Sequence, residues 1–189
     1  MLLTEIPNFI ECKKIHNLKK IYFNKIYTNS ANVSKSSVFV IEKKTKLRKI
    51  YINEAIKNGA IAIISNEFIR NLSITQFVVV NIDLSLLNIL KKIRSNKPLH
   101  TIAITGTNGK TSVVWYISQI LNYNKILVKS YGTLGYYVNL KKKYNSKLTT
   151  PDYTILHQTA YSSKKNLYNY VFEASSHALS QNRIRDLKV

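Results

Sequence analysis

Short apolar runs and helical stripes alternate along the chain. Val38-Phe39-Val40-Ile41, Ile61-Ala62-Ile63-Ile64 and Phe77-Val78-Val79-Val80 are built from β-branched and aromatic residues, the pattern of strands buried on both faces. Between the first two, Ile52, Ala55 and Ile56 recur at helical spacing over residues 51–58, and Gly59 stands where a helix commonly stops. A second helix is expected over 84–94, with Leu86, Leu87, Leu90 and Ile93 on one stripe and Asp83 or Ser85 as N-cap. Residues 15–26 fit either helix or strand. Ser95-Asn96-Lys97-Pro98 predicts a linker, since a proline after polar residues stops a helix. Beyond it, Leu99-His100-Thr101-Ile102-Ala103-Ile104-Thr105 reads as a buried strand. A glycine-containing turn comes next, then a helix with Val113, Val114, Ile117, Ile120 and Leu121 along one side. Further strands are expected at 126–131, 136–140 and 170–173. Strands separated by helices predict an α/β fold with a mainly parallel sheet, divided into domains 1–97 and 98–189.

Composition narrows the class of protein. The 189 residues carry a single cysteine, Cys12, so no disulfide framework can form within the chain. No stretch approaches the roughly 18 apolar residues of a membrane span, and the first residues lack the basic and apolar regions of a signal peptide. The expectation is a cytoplasmic protein. Lys and Arg number 29 against 9 acids, a net charge of +20. The surplus is spread evenly, 11 over residues 1–97 and 9 over 98–189, rather than gathered in a stripe, which argues against nucleic acid as the partner. The longest basic run, Lys141-Lys142-Lys143, reads as a solvated turn.

The most chemically loaded segment is Gly106-Thr107-Asn108-Gly109-Lys110-Thr111-Ser112, between a strand and a helix. Gly106 and Gly109 permit positive φ and let backbone amides approach phosphate oxygens. The helix starting at Lys110 would aim its free N–H groups at the same anion. Lys110 can reach the β- and γ-phosphates, and the hydroxyl of Thr111, with Ser112 beside it, can ligate Mg²⁺. The spacing is shorter than G-x-x-x-x-G-K-[ST], with Ile104 at the first glycine position. The alternative is an ordinary glycine turn with an exposed lysine. Glu173, at the end of the strand Tyr170-Val171-Phe172, is a carboxylate where α/β sheets gather ligands, and with Thr111 it could hold Mg²⁺.

The shortened loop from Thr105 to Ser112 is similar to the ATP loop of the Mur ligase family. Leu148-Thr149-Thr150-Pro151-Asp152 resembles that family's T-T-P segment, and Glu173-Ala174-Ser175-Ser176-His177-Ala178-Leu179-Ser180-Gln181-Asn182-Arg183 resembles E-V-S-S-H-A-L-x-Q-x-R. The likeness implies a P-loop-type ATPase domain, incomplete here, preceded by a small N-terminal α/β domain that binds a UDP-linked substrate. It also implies ATP and Mg²⁺ as cofactors, with Lys110 and Glu173 catalytic and Thr111 and Glu173 on the metal. Thr149, Thr150, Ser175, Gln181 and Arg183 are implied contacts to the substrate, as is Ser30 of the N-terminal domain. The implied substrates are UDP-N-acetylmuramoyl-L-alanyl-D-glutamate and a diamino acid, meso-diaminopimelate or L-lysine. The implied reaction is ATP-dependent amide formation through an acyl phosphate. Near Ser30 the chain departs from the family pattern: Asn29 replaces an Asp, Ala31 replaces an Arg, and Glu42-Lys43-Lys44-Thr45-Lys46 fills a glycine-rich stretch.

His177 is either a general base or, as the resemblance implies, part of a structural turn. His16, His100 and His157 have no partner at ligand spacing, so no zinc site is expected, and nothing beside Cys12 favours a thiolate nucleophile. The sequence stops six residues after Arg183. The resemblance therefore implies an N-terminal portion, inactive alone and served by a complementing downstream chain. A non-catalytic nucleotide- or nucleic-acid-binding module is the competing expectation, supported by the charge and the tyrosines.

Overall fold

The computed structural model describes residues 1–41, 47–162, 166–187 and 189. The departure from the family pattern at 42–46 lies outside the described residues. The chain divides into two compact units, Met1–Ile93 and Arg94–Val189.

The first unit is a five-stranded sheet in the order β1-β5-β4-β3-β2, made of β1 (Cys12–His16), β2 (Lys25–Tyr27), β3 (Ser37–Val40), β4 (Ala60–Ser65) and β5 (Thr75–Val79). β2, β3, β4 and β5 are parallel, and β1 runs antiparallel along β5. The three apolar runs form β3, β4 and β5, and these are buried almost throughout, as strands covered on both faces must be. Residues 15–26 are neither one helix nor one strand: they run from the end of β1 through a loop into β2, at opposite edges of the sheet. α1 (Arg48–Lys57) packs Ile52 and Ala55 against Phe39, Ile41 and Ile63. α2 (Ile82–Ile93) buries Leu86, Ile89 and Leu90. Its cap is Asn81 rather than Asp83 or Ser85: the Asn81 side chain accepts the Leu84 N–H at 2.9 Å, and the Ser85 hydroxyl bonds back to the Asn81 carbonyl at 2.6 Å.

The second unit is a sheet in the order β6-β10-β7-β8-β9, with β6 (Thr101–Ile104), β7 (Val128–Gly132), β8 (Gly135–Val138), β9 (Lys141–Tyr144) and β10 (Asn169–Glu173). β6, β10 and β7 are parallel, and β8 and β9 continue as antiparallel hairpins. The two faces are served by alternate residues of β10. Val171 meets Val114 and Val128 beneath α3 (Lys110–Tyr123), with Ile102, Ile104, Ile117 and Leu121 around them. Tyr170 and Phe172 meet Leu156 and Ala160 of α4 (Tyr153–Ala160) on the other face. Asp152 caps α4 by accepting the Ile155 N–H at 3.0 Å. Among the described residues, no helix is long and apolar enough to cross a membrane.

Three expectations are corrected by this arrangement. β6, expected to be buried, is half-buried because it forms the edge of its sheet. Lys141, Lys142 and Lys143 do not form a turn but lie in β9, an exposed edge strand, where lysines discourage further strand pairing. Residues 95–98 are not a free linker: Asn96 exchanges backbone hydrogen bonds with Ser162 at 3.0 and 2.9 Å, and its side chain donates to the Asn166 carbonyl at 2.8 Å.

Lys129 on β7 lies with its ammonium 4.0 Å from the centroid of the Tyr168 ring. Burial, reinforced by the nearby Arg94 charge, brings its pKa down from 10.5 to about 8. Between those two values the unfolded chain holds a proton that the folded chain lacks. The unfavourable contribution of Lys129 is thus complete below about pH 8 and is relieved as the pH rises towards 10.5. Urea unfolding of Lys129→Met beside the wild type should show the variant's relative stability falling between pH 7.5 and about pH 10, with tyrosine ionisation common to both proteins. A constant difference across that range would contradict this.

Candidate nucleotide and metal site

The site of the second unit lies where β6, β7 and β10 end. After β6, residues 105–109 form an exposed loop. Gly106 has φ +139° and Gly109 φ +79°, backbone conformations that L side chains rarely adopt, which is why two glycines stand there. Gly109 is also the residue from which α3 starts, and no side chain caps that end, so the first-turn amides face the loop unclaimed by a cap. The Lys110 ammonium donates to the carbonyls of Gly106 at 2.6 Å and Thr107 at 3.1 Å, holding a positive charge in the loop's mouth. Thr107, Asn108 and Ser112 are exposed.

Thr111 turns the other way, and its hydroxyl donates to Glu173 Oε2 at 3.0 Å. Glu173 is only 2 % exposed. A buried carboxylate is costly unless its lone pairs are occupied, and the turn joining β7 to β8 supplies the rest. The Thr133 N–H donates to Oε1 at 2.7 Å, and the Thr133 hydroxyl lies 3.1 Å from Oε2. Gly132 is required by this closeness rather than by its backbone angle: a Cβ there would stand 2.0 Å from Glu173 Oε1.

The remaining residues of the second unit form a continuous network from Glu173. Thr149 Oγ1 lies 3.2 Å from Thr133 Oγ1. The Thr150 hydroxyl donates to the Glu173 carbonyl at 2.7 Å and accepts the Ser175 N–H at 2.9 Å. Ser175 caps the short helix α5 (Ser176–Ser180) through the Ala178 N–H at 3.2 Å. Arg183 donates to the Thr150 carbonyl at 3.0 Å and to Gln181 Oε1 at 2.8 Å. The Gln181 amide nitrogen sits 2.8 Å from His177 Nε2. With Gln181 Oε1 taken by Arg183, its amide donates to that ring nitrogen, so His177 Nε2 is engaged within the turn.

Ser30 lies in the first unit. It is buried, and its hydroxyl donates to Glu54 Oε2 on α1 while its carbonyl accepts from Asn58 at 3.0 Å. Its proton is thereby committed to the unit's own packing. Gly132 and Thr133 form a Gly-Thr pair closing an apolar strand, a place from which the sequence allows an approach to nucleotide or substrate, but nothing local reveals which carboxylate the pair faces.

The donor set around Glu173 consists entirely of oxygens: one carboxylate and the Thr111 hydroxyl. Among the described residues, no three His, Cys, Asp or Glu side chains gather into a metal-holding group. Mg²⁺ suits such a place, since it takes one or two protein oxygens and completes its shell with phosphate and water. Thr111 and the two Thr133 donors occupy three of the roughly four lone-pair positions of the carboxylate, leaving room for one metal bond.

The second unit thus combines a mainly parallel sheet with a glycine loop beside a buried carboxylate, and known proteins resemble it. Residues 104–189 match the Mur ligase middle domain. The chain is 34% identical over 185 residues to the UDP-N-acetylmuramoyl-L-alanyl-D-glutamate--2,6-diaminopimelate ligase of Rickettsia rickettsii, covering 92% of this chain and 38% of that protein. It is 32% identical over 195 residues to the ligase of the same name from Alkaliphilus oremlandii, covering 100% of this chain and 39% of that one. The chain thus spans about 38% of the length of the first of these curated relatives. Among solved structures, one of a UDP-N-acetylmuramoyl-L-alanyl-D-glutamate--2,6-diaminopimelate ligase superposes with a TM-score of 0.61 at 25% identity, covering 99% of this chain and 38% of the other. A MurF from Acinetobacter baumannii shares the fold, with a TM-score of 0.59 at 17% identity over 93% of this chain and 36% of its own.

The Gly132 contact gives a direct test. Gly132→Ala must push the Glu173 carboxylate aside, and overpacking of this kind costs about 1–3 kcal/mol. Urea unfolding of the variant should show a loss of that size; a loss below about 0.5 kcal/mol, the usual range of neutral surface changes, would mean that the carboxylate is free to move.

Proposed function

We propose that the second unit binds ATP through residues 106–112 with Mg²⁺ held by Thr111 and Glu173, as part of an ATP-dependent ligase. In this reading the ligase extends UDP-N-acetylmuramoyl-L-alanyl-D-glutamate with a diamino acid, 2,6-diaminopimelate or L-lysine, in the cytoplasm where ATP is available. The observation that carries it is the 3.0 Å hydrogen bond from the residue after the loop lysine to a buried carboxylate at the end of the neighbouring strand. That pairing supports the reading because two oxygens able to bind a metal lie beside the glycine loop, and the names of the relatives support the substrate class.

The roles follow from charge and reach. Lys110 moves its ammonium from the Gly106 and Thr107 carbonyls to phosphate oxygens, while the α3 amides hold the phosphate chain at the loop. Mg²⁺ bound here neutralises charge on the transferring phosphoryl group. Thr149, Ser175, Gln181 and Arg183 present hydroxyls, an amide and one guanidinium to the muramoyl dipeptide, with the buried Thr150 supporting them from beneath through its bonds to Glu173 and Ser175, and so keep the acceptor carboxylate in line with the γ-phosphorus. Ser30 serves the first unit's contribution to the UDP end through packing, its hydroxyl being held by Glu54. A Gln181-engaged His177 orients the turn that carries these groups.

Calorimetric titration with an unhydrolysable ATP analogue, with and without MgCl₂, tests the reading. Lys110→Ala should weaken nucleotide binding at least tenfold, about the 1.4 kcal/mol or more expected of a charge-assisted contact. Glu173→Gln should retain Mg²⁺-free binding and lose the Mg²⁺-dependent gain. Nucleotide affinity indifferent to Lys110→Ala, together with salt-dependent oligonucleotide binding, would overturn it in favour of a basic binding module.

A further inference from the structure

The Thr133 hydroxyl stands between two groups with different proposed tasks. It is 3.1 Å from Glu173 Oε2, the metal-holding carboxylate, and 3.2 Å from Thr149 Oγ1, a substrate-side residue. A hydroxyl carries one proton and cannot donate to both, and an ionised carboxylate can only accept. Thr133 is the donor toward both groups, so its one proton is contested between Glu173 Oε2 and Thr149 Oγ1. The Thr133 N–H holds the other carboxylate oxygen at 2.7 Å, so a single residue grips both oxygens of Glu173.

We propose that Thr133 is a positioning residue that links the metal side of the site to the substrate side: it orients the Glu173 carboxylate, and the state of the Thr149 hydroxyl is passed to the metal through it. This rests on the reading of Glu173 as an Mg²⁺ ligand and Thr149 as a substrate contact. Its physical content is that a group occupying the Thr149 oxygen leaves the Thr133 proton to Glu173 and so changes the restraint on that carboxylate. Binding on the two sides is then linked, and each side alters the other by the same factor. Thr133 itself is exposed, so its substitution removes the link without opening a cavity in the core.

A double-mutant cycle on Mg²⁺ affinity tests this, using MgCl₂ titrated calorimetrically into the 189-residue protein saturated with an unhydrolysable ATP analogue. Thr133→Val keeps the backbone N–H and the β-branch but removes the hydroxyl, and should weaken Mg²⁺ binding about 2- to 10-fold, the range for loss of one hydrogen bond. Thr149→Val removes the competing acceptor, so it should tighten Mg²⁺ binding about 2- to 5-fold in the wild-type background and have no effect in Thr133→Val. Thr133→Ser should restore both the affinity and the sensitivity to Thr149→Val, which a merely structural role for the threonine methyl would not do. Equal effects of Thr149→Val in the two backgrounds, or Mg²⁺ affinity unchanged by Thr133→Val, would overturn the inference while leaving the ATP reading standing. Wild-type protein that binds no nucleotide would overturn both.

Discussion

The buried Glu173 carboxylate is the constraint around which the second unit is organised. Its described partners are all neutral: two threonine hydroxyls and one backbone N–H. Desolvating an ion costs several kcal/mol, and hydrogen bonds from neutral groups return that cost only if all are made with good geometry. The requirement reaches three separate elements. It fixes the first turn of α3 through Thr111, the β7–β8 turn through Thr133, and the end of β10 through Glu173 itself. Gly132 follows from it as well, because the carboxylate occupies the space of the missing side chain.

The sheet explains how these elements come to one place. β6, β10 and β7 are parallel, so their C-terminal ends lie along one rim, and the loop, the carboxylate and the Gly-Thr turn all follow or close those strands. Packing beneath the rim is divided strictly by the two-residue period of β10, with Val171 on the α3 face and Tyr170 and Phe172 on the α4 face. A one-residue slip of β10 would place Val171 under α4 and move Glu173 off the rim. Core packing and site chemistry are thus held in the same register.

Much of this order is readable in local patterns. The β-branched runs of β3, β4 and β5 and the stripe of α3 belong to the chain's own periodicity, and the Gly-Lys-Thr turn between β6 and α3 follows from local conformational demand. Where local reading failed, neighbours in space had decided the outcome. Asn81 caps α2 because it stands just before the first helical residue and its side chain accepts the Leu84 N–H. Lys141–Tyr144 pairs as a strand because β8 offers an edge, which no composition rule for a lysine run anticipates. β6 has the apolar content of a central strand yet lies at the edge, since strand order is a property of the whole sheet.

The same division runs through the site. The sequence by itself determined the secondary-structure alternation, the glycine loop with Lys110 and Thr111, and the presence of an acid at a strand end, because each depends on residues close together along the chain. Only the tertiary structure decided that Glu173 is buried, that Thr111 and Thr133 both hold it, and that its carboxylate fills the space beside Gly132. Those facts depend on groups 40 to 62 residues apart meeting within hydrogen-bond distance. Such meetings are set by sheet register and packing, which no local pattern encodes.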